Sequence, residues 1–230
     1  MSSFAQDTTK VLLKFGVGYG KILGNSDLNS PYNVDGWSYA RKHGLNIQLG
    51  VGYKFNSNLS LFLNSNFESY FLNKEKLIQS YSNEFPDFHY YNDQELDLTN
   101  STDESFSKKL FSCILERKVE FKKFFIVPLA GIGFGHFRHR EYTFALRPKN
   151  NNQHIEYNIK GQFKFKPALH IGTKFNLKKI PDAYIEIQYT YQKHIGNYEI
   201  SNDNLTYNTS YNKPIHLLNL GVIYQGLIIK

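Results

Sequence analysis

The stretch 155–177, IEYNIKGQFKFKPALHIGTKFNL, constrains the fold more than any other part of this chain. Taken two residues at a time, it puts Ile155, Tyr157, Ile159, Phe163, Phe165, Leu169, Ile171 and Phe175 on one side. Glu156, Lys160, Lys164, Lys166, His170 and Lys174 fall on the other. Side chains alternate across a β-strand, so the pattern predicts one unbroken strand with an apolar face and a charged face. Strands of ordinary domains run about 5–6 residues, and this alternation lasts several times longer. Such a strand needs hydrocarbon on one side and water or paired charge on the other, a demand that a transmembrane β-barrel meets.

The same period recurs along the chain. It predicts strands over 10–22, 43–55, 59–71, 106–121 and 124–144, one after the turn at 178–182, and a last one over 215–229. That makes eight strands. Short connections at 57–58, 122–123 and 178–182 alternate with long, polar ones, of which 74–104 is the longest. The expected fold is all-β: a closed antiparallel up-and-down transmembrane barrel with short periplasmic turns, long extracellular loops and both termini periplasmic. Residues 10–230 form the barrel domain. Residues 1–9 are an N-terminal segment, read as the remnant of an export signal or as added residues.

Composition agrees. The mean hydropathy is negative because each strand dilutes its apolar face with a polar one. The aromatic content of 16% suits girdles at two membrane interfaces. A single cysteine, Cys113, excludes an intrachain disulfide. The net charge of +7 is spread over alternating faces instead of forming a patch, which argues against nucleic acid as a partner. No zinc pattern, calcium loop or phosphate-binding glycine loop is present, so no metal and no cofactor is expected.

By parity, the interior carries Lys14, Lys54, Lys118, Lys160, Lys164, Lys166 and Lys174 against Glu68, Glu116, Glu120 and Glu186. Eight strands leave room only for side chains, so these charges are expected to form a plug. Their lysine excess raises a narrow anion-preferring channel as an alternative. Arg117 is the exception, facing lipid and placed to snorkel beside the turn at 122–123. Arg138 and Arg140 point outward at the far end of their strand, where lipopolysaccharide phosphates would lie. Pro128 and Pro167 interrupt two strands and predict a bulge at each.

This architecture resembles the small eight-stranded outer-membrane barrels, the family of the OmpA membrane domain and OmpX, over 10–230. The resemblance implies the bacterial outer membrane, contact with its lipid and lipopolysaccharide, and possible association with other outer-membrane proteins through the loops. The chain departs from the family's aromatic last residue, ending Gly226-Leu227-Ile228-Ile229-Lys230. Two weaker likenesses concern lipid A. The paired prolines resemble a device of the barrel enzyme that palmitoylates it. His194-Ile195-Gly196-Asn197 resembles the His-x-Ser-Asn signature of the barrel deacylase, with Gly196 in place of the nucleophilic serine. The sequence therefore points to a non-enzymatic barrel, structural, adhesive or part of a larger assembly, with a lipid A-modifying enzyme as another alternative.

Overall fold

A computed structural model describes residues 10–23, 43–70, 88–90, 106–138, 142–148, 155–177, 179–180, 182–201 and 206–229. Twelve strands run through them: β1 (Lys10–Leu23), β2 (His43–Lys54), β3 (Leu59–Tyr70), β4 (Phe88–Tyr90), β5 (Phe106–Arg117), β6 (Val119–Glu120), β7 (Phe124–Arg138), β8 (Tyr142–Pro148), β9 (Ile155–Phe163), β10 (Lys166–Leu177), β11 (Ala183–Ser201) and β12 (Thr206–Ile229). Eight of them close a ring in the order β1-β2-β3-β5-β7-β10-β11-β12, every neighbour antiparallel, with β12 returning to β1. No edge strand is left in the ring, the condition for crossing hydrocarbon.

The ladder also sets the barrel's shape. Starting at Leu13, partners run through Val51, Leu63, Cys113, Ile132, Leu169, Tyr191 and His216 and return to β1 at Leu23, ten residues on. A stagger of ten over eight strands tilts them by about 40° to the axis. It also gives every residue a height along that axis.

The alternation predicted from sequence holds through the ring. β2 alternates without a break, exposed residues at His43, Leu45, Ile47, Leu49, Val51 and Tyr53 and buried ones between. The outward residues are apolar and bare: Leu63 is 66% exposed, Ile132 62% and Ile171 61%. Soluble monomers rarely show apolar patches beyond a few hundred Å², whereas here the patch is the whole outer wall. It is the lipid-facing belt of a transmembrane barrel. Aromatic rings edge it on the turn side, where Phe124 stacks on Phe121 (4.8 Å) and meets Phe175 (5.3 Å), and Tyr53 meets Phe55 (5.0 Å).

The turns have local causes. Asn56 Oδ1 accepts hydrogen bonds from the backbone N–H of Asn58 and of Leu59, both 2.9 Å, folding β2 back into β3. Asp182 takes φ 67° between β10 and β11, a left-handed position that aspartate tolerates. Asn176 Nδ2 closes that turn by donating to the carbonyls of Ile180 and Ala183.

Three expectations are corrected. The long strand over 155–177 is not continuous: Lys164 and Phe165 separate β9 from β10. Against β11, Phe163 pairs with Gly196 but Ala168 with Gln192, so this side carries one extra residue. That bulge, next to Pro167, breaks the alternation where the sequence carries it straight on, leaving Lys164 and Phe165 both exposed. Pro128 makes no bulge. Glu116 pairs with Leu129 and Val119 with Ile126 in one register, and the ladder merely lapses between them, where Lys118 donates its N–H to Asn58 instead. The predicted strand over 124–144 ends at Arg138. β8 then forms a separate hairpin with β9, and β4, from the long connection at 74–104, pairs with the edge of β8. With 19 and 24 residues, β11 and β12 far exceed the about 9–11 that a bilayer crossing takes. Their ends join β9, β8 and β4 in a sheet beyond the loop-side rim.

Candidate functional site

Among the described residues, charge is concentrated away from solvent in the interior. Three lysines and three glutamates are buried among the described residues: Lys14, Lys108 and Lys174 with Glu68, Glu116 and Glu186. They fall into two groups.

Near the turn side, Glu116 lies between two ammonium groups, Oε1 at 2.7 Å from Lys14 Nζ and Oε2 at 2.5 Å from Lys174 Nζ. These side chains arrive from β5, β1 and β10, so the carboxylate ties strands from opposite sides of the ring. Glu186 on β11 stands 3.8 Å from Lys14, an ion-pair distance beyond hydrogen-bond reach. Gln225 Oε1 accepts from Lys174 at 2.6 Å. The Phe62 ring lies 4.6 Å from the Lys14 ammonium and 5.4 Å from that of Lys174, each within cation–π range.

Toward the loop side, Glu68 Oε1 receives Lys108 Nζ at 3.1 Å and Asn219 Nδ2 at 3.1 Å, while the Tyr70 hydroxyl donates to its other oxygen. Tyr70 and Leu217, both fully buried, cap this group with Ile22 and Ile215 packed against them. The ladder places the two groups roughly 15 Å apart along the axis. The band between them is polar but uncharged, with Gln48, Asn64, Asn66, Ser112, His170 and Gln188 all buried. His170 Nδ1 meets Thr190 Oγ1 at 3.0 Å.

Glycines admit the bulkier lining. A Cβ on Gly52 would sit 2.5–2.7 Å from the Phe62 ring, so the bare backbone of β2 is what lets that ring lie beneath the lysines. The glycines thus make room for aromatic and aliphatic groups as much as for lysines. Phe62, Leu110, Ile114, Leu129, Leu217 and Ile223 are all buried inside, and the interior packs as a mixed core.

Of the eleven residues assigned to the interior from sequence, Lys14, Glu68, Glu116, Lys174 and Glu186 are there and paired. Lys164 is exposed, a correction that follows from the bulge. Glu120 is exposed too, because β6 has already left the ring at the turn-side rim. Lys54, Lys118 and Lys166 are half-buried at the rims, Lys118 standing 3.6 Å over the Phe125 ring. Lys160 pairs with Glu199 in the β9–β11 ladder, its side chain outside the described residues. Arg138 ends β7 opposite Ser107; its side chain and all of Arg140 lie outside the described residues. Arg117 is exposed on the outer wall, as expected.

Lys108 and Tyr70 were missed, while parity points Asn219 and Gln225 inward without naming the ions they bond. Lys108 shares its face with Ser112 and Glu116 at even spacing on β5, a signal that was present in the sequence. The others need the ring to be closed before they meet.

Neither lipid A likeness gains support. Pro128 and Pro167 lie on paired strands, but Pro167 faces Phe134, six residues along β7 from Pro128. His194 and Gly196 fall within β11, opposite Lys213 and Tyr211; the His194 side chain lies outside the described residues. Among the described residues no cluster of three or more histidine, cysteine or carboxylate groups is placed to hold a metal.

No protein-family model matches the chain, and no curated protein matches it. Solved structures are similar in fold. Neisserial surface protein A is 9% identical with a TM-score of 0.49, over 95% of this chain and 97% of that one. A major outer membrane protein from Thermus thermophilus is 12% identical with a TM-score of 0.46, over 95% and 100%. The outer membrane protein AlkL is 12% identical with a TM-score of 0.44, over 100% and 96%. The eight-stranded assignment stands on the closed ladder itself.

Proposed function

We propose that this chain is a non-enzymatic, non-conducting barrel of the bacterial outer membrane, with a structural or adhesive role, alone or within a larger assembly. The observation that carries this reading is the pair of neutral ion clusters that fill the interior at two heights. Lys14, Lys174, Glu116 and Glu186 balance in charge at one, and Lys108 and Glu68 at the other. The lysine excess that favoured an anion path is absent among the buried described residues, three of each sign. An ion crossing the barrel would have to break both clusters, each breakage costing several kcal/mol.

Interaction with partners falls to the loop-side sheet of β4, β8, β9 and the ends of β11 and β12. It presents backbone beyond the membrane, where strand edges accept further strands. In this reading the turns at 55–58, 121–123 and 178–182, and the chain ends that share their rim, face the periplasm.

Planar-bilayer recording tests the closed interior. The purified protein should give no steady current, and a stable anion-selective conductance would refute the plug. Cysteine labelling on intact cells, in a Cys113→Ser background, tests the orientation. Asn92→Cys should label and Ser57→Cys should not; the reverse pattern overturns it.

A further inference from the structure

On the outer wall, just above the apolar belt, β1 carries an exposed lysine flanked by two histidines. Lys21 lies directly opposite His43 of β2. On its other side it faces Leu218 of β12, with His216 two residues further along and opposite Leu23. Side chains directly opposite sit about 5 Å apart at Cβ and diagonal ones about 7–8 Å, so one small group can reach all three.

Both imidazoles are held from below by tyrosines. The Tyr19 hydroxyl bonds His43 Nδ1, the rings stacked at 5.4 Å. The Tyr189 hydroxyl bonds His216 Nδ1 at 2.5 Å, and Tyr191 packs edge-on at 5.5 Å. A hydroxyl that donates to Nδ1 leaves the ring's proton on Nε2, and in that tautomer each imidazole offers a donor on the side away from its tyrosine. Among the described residues no carboxylate shares this face: Glu68, the acid at this height, points inward and is paired with Lys108. Immediately below, the wall is apolar, with Val17, Leu45 and Leu220 each about half exposed (50%, 58% and 51%).

We propose that Lys21, His43 and His216 form a docking site for the phosphate of a membrane lipid, whose acyl chains lie on the apolar wall beneath. Three converging donors, one of them an ammonium, match phosphate oxygens. The adjoining hydrocarbon-facing surface selects a lipid over a free anion. The site rests on the membrane-spanning reading and goes beyond it by naming residues and a ligand class.

The test uses protein refolded into vesicles of phosphatidylcholine with a minor fraction of phosphatidic acid, followed by native mass spectrometry of retained lipid. Folding is checked first by the shifted gel mobility of the unboiled protein, and failure of the wild type there refutes the membrane reading separately. For folded protein, Lys21→Gln/His43→Gln/His216→Gln should lower phosphatidic acid retention about tenfold, the loss expected for one charge-assisted hydrogen bond. The control Lys109→Gln removes an exposed charge at a similar height, on β5 and three strands from β1, and should leave retention within about twofold. Tyr19→Phe/Tyr189→Phe keeps every charge but frees the imidazoles, and should lower retention about threefold; it serves alone if the triple variant does not fold. Equal retention by the wild type and the Tyr variant, or by the wild type and a folded triple variant, overturns the site. So does an equal loss in the control, which would mean diffuse attraction. Displacement of the lipid by millimolar inorganic phosphate overturns the lipid assignment.

Discussion

Glu116→Gln is the sharpest test of the interior. The carboxylate is 2.7 Å from one ammonium and 2.5 Å from another. At an effective dielectric of about 20 each pair gains roughly 6 kcal/mol of attraction. Burying the three ions offsets most of this, at several kcal/mol per ion. Glutamine keeps the volume and one acceptor oxygen, so packing barely changes. The attraction goes while two ammonium groups stay buried, with only Glu186 left, 3.8 Å from Lys14. The expected cost is about 3–5 kcal/mol. Urea titration of the protein folded in phosphatidylcholine vesicles would read it as a lower midpoint at unchanged slope. Adding Lys174→Met restores charge balance around Lys14 and Glu186 and should recover at least half of the loss. If Glu116→Gln unfolds within about 0.5 kcal/mol of the wild type, that carboxylate does not hold the two lysines and the account of the plug is wrong.

Other consequences concern packing and the wall. Gly52→Ala drives a methyl against the Phe62 ring, leaving no room without a shift, and should cost about 1–3 kcal/mol, with Phe62→Leu recovering part of it in the same titration. Gly18 faces Gly221 where β1 closes on β12, and a Cβ there would stand 2.5 Å from the Leu220 carbonyl oxygen. Gly18→Ala should therefore slow or prevent the gel-mobility shift that reports closure. Ile171→Lys puts a charge on the belt near its mid-height, at about 2–4 kcal/mol. Lys164→Gln, at the exposed bulge, should stay within about 0.5 kcal/mol of the wild type. A large loss for Lys164→Gln would return that lysine to the interior and remove the bulge.

How much was legible in the sequence depends on where two faces meet two solvents. Along β2, and along β10 from Leu169 to Asn176, hydrocarbon outside and packed polar groups inside impose opposite chemistries, so alternation reports the face directly. Beyond the belt both faces meet water, and side-chain chemistry no longer records which way a residue points. Phe163, Lys164, Phe165 and Lys166 keep alternating straight through the bulge, and only the pairing with β11 reveals the extra residue. Inside the ring, the polar-in rule fails for Phe62, Ile114 and Leu129 because an eight-stranded interior packs as a core. Their inward direction was readable from parity, their packing partners were not. The Lys14–Glu116–Lys174 bridge joins residues 102 and 58 positions apart. Parity had put all three inside, but only closure of the ring shows that they meet.

The central claim, a closed barrel whose apolar wall faces lipid, is tested most directly by refolding. Denatured protein diluted into phosphatidylcholine vesicles should yield a monomer whose gel mobility shifts when it is left unboiled, and it should aggregate when diluted into buffer without lipid or detergent. A wild-type chain that folds and stays monomeric in plain buffer would have no lipid-facing belt, and the account would be wrong.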